Sequence, residues 1–217
     1  MEDALRAGAA EPGLILIETL GWTGTEFPRL SLHLQRLASS AARLGWPCDI
    51  GQVEAALWGA VAEEPRRVRL TLDAAGRVAV TAAVMPPGKP LWNLGLAQAR
   101  LRSGDPWLAV KSSRRAAYDA ARAGLRPGLD EVVLVNERGE VCDGSITTLF
   151  FDRGQGMRTP PLSAGLLPGV LRAELAVPED SLQAQDLTQV RLWVGNSLRG
   201  LMPALWAEPL AGIFGPK

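Results

Sequence analysis

The sequence predicts an α+β fold, with mixed α/β layers in both halves of the chain, and three observations lead there. Leu30, Leu34, Leu37, Ala41 and Leu44 recur at steps of four, three, four and three, the apolar stripe of a helix. Residues 67–72 and 77–82 alternate in twos about the turn Asp73-Ala74-Ala75-Gly76, the pattern of an antiparallel hairpin. Both periods return beyond residue 90, in strands such as Glu131-Val132-Val133-Leu134-Val135 and in a helix over 113–123. Elements of both kinds in both halves exclude a pure bundle and a pure sandwich.

The elements follow in order. Residues 13–20 form an apolar, partly β-branched run closed by Gly21, a buried strand with Glu18 and Thr19 at its end. After Phe27-Pro28 comes the striped helix, which stops at Gly45 and carries Arg36 beside its stripe. A second helix over 50–63 ends before Pro65, and the hairpin follows. Met85-Pro86-Pro87-Gly88-Lys89-Pro90 forbids both a helix and a central strand. It divides the chain into an N-terminal α/β domain, 1–84, a linker, 85–90, and a C-terminal domain, 91–217. A strand over 94–101, a loop at Gly104-Asp105-Pro106 and the helix over 113–123 come next. Strands over 131–135 and 148–151 flank a turn at Asn136-Glu137-Arg138-Gly139. A helix opens within Leu167-Pro168-Gly169-Val170-Leu171-Arg172, and the last strand covers 191–195.

Composition narrows the chemistry. Among 217 residues, 23 basic side chains balance 23 acidic ones, so no net field draws nucleic acid or an acidic membrane surface. One histidine, His33, and two distant cysteines, Cys48 and Cys142, exclude the usual zinc spacings. No apolar stretch is long enough to span a bilayer. Isolated cysteines, with no amino-terminal apolar run after basic residues, point to a reducing, cytoplasmic setting. The basic set is lopsided: 20 arginines against three lysines, Lys89, Lys111 and Lys217. Lysine chemistry therefore has few candidates.

Four segments can carry chemistry, and each also has a plain structural reading. Lys111 sits between an apolar segment and an expected helix N-terminus, whose positive end disfavours an ammonium and frees the amine as a nucleophile. A snorkelling surface lysine explains it too. Asp143, followed by Gly144-Ser145-Ile146-Thr147-Thr148, places an acid where the chain leaves a hairpin for the core, and a buried acid needs partners. A turn aspartate capping its own backbone is the alternative. The loop 165–172 offers free N–H groups at Val170 and Leu171, suited to phosphate, or is an ordinary loop-to-helix junction. It lacks the Lys-Ser/Thr tail of a nucleotide P-loop. Gly195-Asn196-Ser197-Leu198-Arg199-Gly200 gathers a hydroxyl, an amide and a guanidinium after a strand, as an anion lip or a simple turn.

Together these blocks resemble the class IV aminotransferase family, the pyridoxal-phosphate enzymes of fold type IV. The matching text is Leu16-Ile17-Glu18-Thr19; His33-Leu34-Gln35-Arg36-Leu37 with Ser40-Ala41 and Leu44-Gly45; Lys111 with Arg115 and Tyr118-Asp119; 130–150; 165–172; and Asn196-Ser197. The resemblance spans about residues 14 to 205. It implies a two-domain fold, a small α/β domain and a larger barrel-like α/β domain, with pyridoxal 5'-phosphate held between them. It implies that Lys111 bonds the cofactor aldehyde and later moves protons. Arg36, the Val170 and Leu171 amides and the Ser197 hydroxyl would hold the phosphate, and Asp143 would face the pyridine nitrogen. Glu18, Thr19 and Arg199 are the substrate-facing candidates. Tyr118, two residues beyond a position where branched-chain aminotransferases carry a ring-facing tyrosine, reads as a helix-packing residue.

Three departures accompany the resemblance. Asp143 is one methylene shorter than the usual glutamate, Thr148 replaces a common asparagine, and the Asp-Arg and Gly-Asp-Gly box ahead of the Glu-Thr pair is missing. The last implies a shortened first domain or an altered substrate mouth. The 195–204 wording is similar to aminodeoxychorismate lyases, which implies release of pyruvate from 4-amino-4-deoxychorismate. An amino-acid transaminase, or a non-catalytic relative that binds the cofactor, is the alternative. A small amino substrate is the implied ligand and a homodimer the implied assembly.

Overall fold

Alternation sets the first layer. The computed structural model describes residues 2–208, so Lys217 lies outside the described residues. A helix that composition did not announce, α1 (Glu2–Gly8), precedes β1 (Ile15–Trp22), and Leu5 anchors it in the core. Helices α2 (Leu30–Leu44) and α3 (Ile50–Gly59) follow, then the hairpin β2 (Arg66–Asp73) and β3 (Val78–Val84). The three strands make one antiparallel sheet in the order β1-β2-β3. Leu16 and Leu20 of β1 and Val68, Leu70 and Leu72 of β2 point into one core with Leu37, Ala41 and Leu44 of α2. Gly45 ends α2 at φ 72°, a left-handed cap that glycine adopts without a Cβ penalty.

The second layer begins after the proline segment. Strand β4 (Trp92–Leu101) leads through a short 3₁₀ turn, Pro106–Ala109, to α4 (Ala116–Ala123) and β5 (Glu131–Asn136). Then come β6 (Val141–Gly144), β7 (Thr148–Asp152), α5 (Val170–Leu175), β8 (Arg191–Asn196) and β9 (Gly200–Trp206). The six strands run β6-β5-β4-β9-β8-β7, with β4 parallel to both its neighbours. The edge strands β6 and β7 meet at one end, where the Gly144 N–H donates to the Thr147 carbonyl at 2.7 Å, so the sheet is a nearly closed barrel. Trp107 and Val110 cross back to pack in the first core.

Several expectations shift. β1 continues through Gly21 to Trp22, so Glu18 and Thr19 lie inside the strand and not at its end. α3 ends at Gly59, short of Glu63. The helix expected over 113–123 starts at Ala116, because Arg115 takes a non-helical backbone at φ −136°. β6 and β9 were not anticipated. β9 contains Pro203, which sits beyond the 204–206 stretch that pairs with β4, where a missing N–H leaves no bond on that side unmade.

Candidate active site

A cavity of about 670 Å³ opens where the two sheets meet. Successive strand residues face opposite ways, so Ile17 and Thr19 of β1 line it while Leu16, Glu18 and Leu20 face α2. Lys111, Arg36, Asp143, Val170, Leu171, Ser197, Thr19 and Arg199 all reach this one cavity. Glu18 does not. Two adjacent residues of one strand cannot both face the substrate side, which corrects the pairing of Glu18 with Thr19.

Lys111 is held by backbone pairing with β1. Its carbonyl accepts from the Ile17 N–H at 2.9 Å, and the Ser113 N–H donates to the Ile15 carbonyl at 2.9 Å. The amine is held down at about 8 by removal from water first, with Arg36 and Arg115 repelling its charge and Glu18 and Asp143 favouring it. Because α4 begins five residues later, helix polarity is not the cause the sequence suggested.

Glu18 works beneath the cavity floor. Its carboxylate accepts from Arg36 Nε at 2.8 Å and Nη2 at 2.5 Å, and lies 2.7 Å from His33 Nδ1. Burial opposes this charge, yet Arg36 and His33 outweigh it and hold the carboxyl at about 2. Arg36 also donates Nη1 to the Pro168 carbonyl at 3.2 Å, which ties α2 to the loop before α5. His33 Nε2 lies 2.6 Å from Ser197 Oγ, completing a carboxylate–imidazole–hydroxyl chain. Burial first, then Arg36 and Lys111, push the His33 ring below its ordinary value against the pull of Glu18. A neutral ring therefore donates Nδ1–H to Glu18 and accepts from the Ser197 hydroxyl.

Asp143 reaches the cavity from β6. It is 4 % exposed, and its Oδ1 is buried without a partner among the described residues. Burial, then the nearby Glu131, push its carboxyl well above the usual carboxylate range, against a hydrogen bond from the Leu167 N–H and the charges of Lys111 and Arg172. Glu131 shapes the next turn. Its two oxygens accept from the Ser145 N–H at 3.0 Å, the Ile146 N–H at 3.1 Å, the Thr147 hydroxyl at 3.0 Å and, closest, the Ser145 hydroxyl. At α5, Val170 and Leu171 are first-turn residues whose N–H groups have no helical carbonyl behind them.

The arrangement can hold an anion near Arg36, present an amine at Lys111 and offer an acid at Asp143. Sequence reasoning gave no role to His33, although its place one turn before Arg36 was a signal. Glu131 was also passed over, and the signal was an acid opening an apolar strand, since such a group must find donors. Tyr118, expected to serve packing, lines the cavity with its hydroxyl unpartnered among the described residues and Arg115 5.8 Å above its ring. Two further arginines are engaged by other side chains: Arg29 is paired with Glu174 at 2.7 Å and Arg114 stacks on Trp107 at 4.9 Å.

Comparisons with known proteins place this site in context. The family model described as amino-transferase class IV matches residues 15–205. A Schizosaccharomyces pombe protein provisionally named as an aminodeoxychorismate lyase is 33% identical over 168 residues, 74% of this chain and 72% of its own length. The crystal structure of a Mesorhizobium loti protein, provisionally named as an amino-acid aminotransferase, is 44% identical with a TM-score of 0.86, covering 89% of this chain and 100% of that one. The 4-amino-4-deoxychorismate lyase of Pseudomonas aeruginosa shares the fold at 20% identity and a TM-score of 0.75, over 88% of this chain and 84% of its own.

Proposed function

The chain belongs to the amino-transferase class IV family and is an enzyme of it, and from that premise we propose that it binds pyridoxal 5'-phosphate in the cavity and acts as a 4-amino-4-deoxychorismate lyase, releasing pyruvate and 4-aminobenzoate. One observation carries the reading: the lowered amine of Lys111 shares a cavity with Asp143, whose buried oxygen has no partner. An unpartnered buried oxygen is costly, and the pyridine nitrogen of the cofactor is a group that satisfies it.

The residues fit that group. Of the five N–H donors of Arg36, Glu18 and Pro168 take three, which leaves two for a phosphate. The Val170 and Leu171 amides and Ser197 lie along the same cavity. Asp143 reaches into the cavity from β6 with its short side chain. When bound, the cofactor supplies an electron sink for the carbon that bears the substrate amine. Lys111 would hold the aldehyde end of that group, and its amine, when free, would take the proton from the amine-bearing carbon of the substrate. Asp143 would face the ring nitrogen and share a proton with it. Glu18 keeps Arg36 oriented without touching substrate. Residues 1–84 and 91–217 serve as the two domains about the cofactor, in a cytoplasmic homodimer.

The lyase reading is supported by the S. pombe relative. Transamination is the second reading, favoured by the 44% identity to the M. loti protein. Supplying aminodeoxychorismate to the cofactor-loaded enzyme with no 2-oxo acid separates them. Pyruvate release without an acceptor supports the lyase; turnover only with an amino-acid and oxo-acid pair supports the transaminase.

A further inference from the structure

Glu18, His33 and Ser197 come from three separate elements, β1, α2 and the β8–β9 turn, yet they join in one chain of contacts. Glu18 Oε2 lies 2.7 Å from His33 Nδ1, and His33 Nε2 lies 2.6 Å from Ser197 Oγ. Both spacings are those of strong hydrogen bonds, and they link a carboxylate, an imidazole and a hydroxyl through the two nitrogens of one ring. Pairing with Arg36 accounts for Glu18, and an anion beside Arg36 would account for Ser197. Neither accounts for a ring that ties the two together.

The chain of three has a direction. Burial opposes the Glu18 charge, but Arg36 and His33 hold the carboxyl at about 2, so it is ionised throughout the neutral range. It accepts the Nδ1 proton, which leaves Nε2 as the acceptor facing the Ser197 hydroxyl. His33 is buried, whereas Ser197 is half-buried and lines the 670 Å³ cavity. The turn that carries the serine is fixed from both sides. Asn196 Oδ1 accepts from the Leu198 and Arg199 N–H groups at 3.1 and 3.0 Å, and Arg29 Nη1 donates to the Ser197 carbonyl at 3.2 Å. Arg36 lines the same cavity, and the two N–H groups that Glu18 and Pro168 leave it can receive a developing oxyanion.

We propose that Ser197, His33 and Glu18 form a hydrolytic triad with which the cofactor-free chain cleaves small carboxylic esters in this cavity. Ser197 Oγ bonds the ester carbonyl carbon while His33 Nε2 takes the hydroxyl proton. Glu18, a positioning residue, orients the ring and faces the imidazolium. The bond from the carbonyl carbon to the alkoxy oxygen breaks, and the leaving oxygen takes that proton as an alcohol. Water then attacks the acyl-serine, its proton passing to His33 and on to Ser197 Oγ as the acid departs. One ester and one water give one acid and one alcohol. Removal from water first, then Arg36 and Lys111, lower the His33 ring against the pull of Glu18. So weak a base suits activated aryl esters and not amides. A phosphate seated on Ser197 would block the nucleophile, so this activity goes beyond the proposed function and stands independently of it.

p-Nitrophenyl acetate is the probe, given to the full chain freed of pyridoxal phosphate. Absorbance follows p-nitrophenolate, and peptide mapping locates the acetyl group. The wild type is expected to release many equivalents per chain, with acetyl on Ser197 early in the reaction. Its rate should rise to a plateau with a midpoint below pH 6.5, as His33 loses its proton. Ser197→Ala removes a single hydroxyl from a half-buried turn, so its denaturant midpoint reads folding separately from activity. Its rate should fall at least about a hundredfold. His33→Gln should lose turnover as well, while Ser197→Cys should still take up acetyl, on sulfur. Lys111 is the rival nucleophile, since its amine shares the cavity. Release that stops at one equivalent with acetyl on Lys111, or a rate that Ser197→Ala leaves unchanged, overturns the triad.

Discussion

At the scale of single residues, the site depends on which charges are taken out of water and what faces them. Lys111 titrates at about 8 where an ordinary lysine titrates near 10.5, so its neutral amine grows as pH rises through 8. The rate at which the protein captures pyridoxal phosphate, followed by stopped-flow absorbance, should climb with a midpoint near that value. A midpoint near that of an exposed lysine contradicts the role of burial. Glu18 titrates at about 2 in the folded protein against an ordinary 4.5. The lowered value means its contribution to stability is complete above 4.5 and is lost as pH falls through 2. Glu18→Gln leaves Arg36 buried without its counter-charge and should cost about 3–5 kcal/mol in denaturant unfolding at neutral pH. His33 adds a linkage. While neutral it accepts the hydrogen bond of the Ser197 hydroxyl, leaving only lone pairs on that oxygen toward a phosphate; once protonated it donates to Ser197, whose hydroxyl then turns outward. Pyridoxine 5'-phosphate, which has no aldehyde to engage Lys111, should therefore bind with proton uptake, measured by calorimetry in buffers of different ionisation enthalpy. Binding with no uptake rules out Ser197 as a phosphate donor. The sequence marked Lys111 because lysine is rare in the chain and Asp143 because a buried acid is costly, whereas the role of Arg36 came from the family resemblance. It did not mark His33 or Glu131, whose importance lies in partners 15 and 14 residues away or more.

At the scale of elements, periodicity carried what local pattern can carry. The α2 stripe and the β2–β3 hairpin are legible because one face of each is apolar and the other is not. Strand β6 is only four residues long and β9 contains a proline, so neither has a local signature; both exist because β5 and β8 offer them a ladder. The same pairing shows why Glu18 and Thr19 part company, since β1 must bury one face against α2. Gly195 illustrates how tightly the elements fit. A Cβ there would lie 2.5 Å from Leu171 and 2.8 Å from the Gly200 carbonyl, and the second is backbone that cannot rotate away. Gly195→Ala should destabilise the protein by roughly 1–3 kcal/mol in thermal or denaturant unfolding. It should also weaken cofactor binding, because Leu171 opens α5 beside the cavity. Unchanged stability would contradict a close β8–α5 contact at Gly195.

At the scale of the whole molecule, a zero net charge hides a division of labour. Two buried acids are engaged, Glu18 with Arg36 and Glu131 with the 145–147 turn, while Arg67, Arg69 and Arg199 on the cavity wall have no ion pair among the described residues. Counting charges could not reveal this, because it arises only when two sheets from different halves of the chain face each other. The lysine count was more telling. Lys89 is committed to Asp130 at 2.7 Å on the outside, so among the described residues Lys111 alone brings an amine to the cavity. Borohydride reduction of the pyridoxal-phosphate-treated protein, followed by peptide mapping, tests the central claim most directly. A single reduced adduct on Lys111 is the expected result; an adduct on Lys89 instead, or none on Lys111, contradicts it.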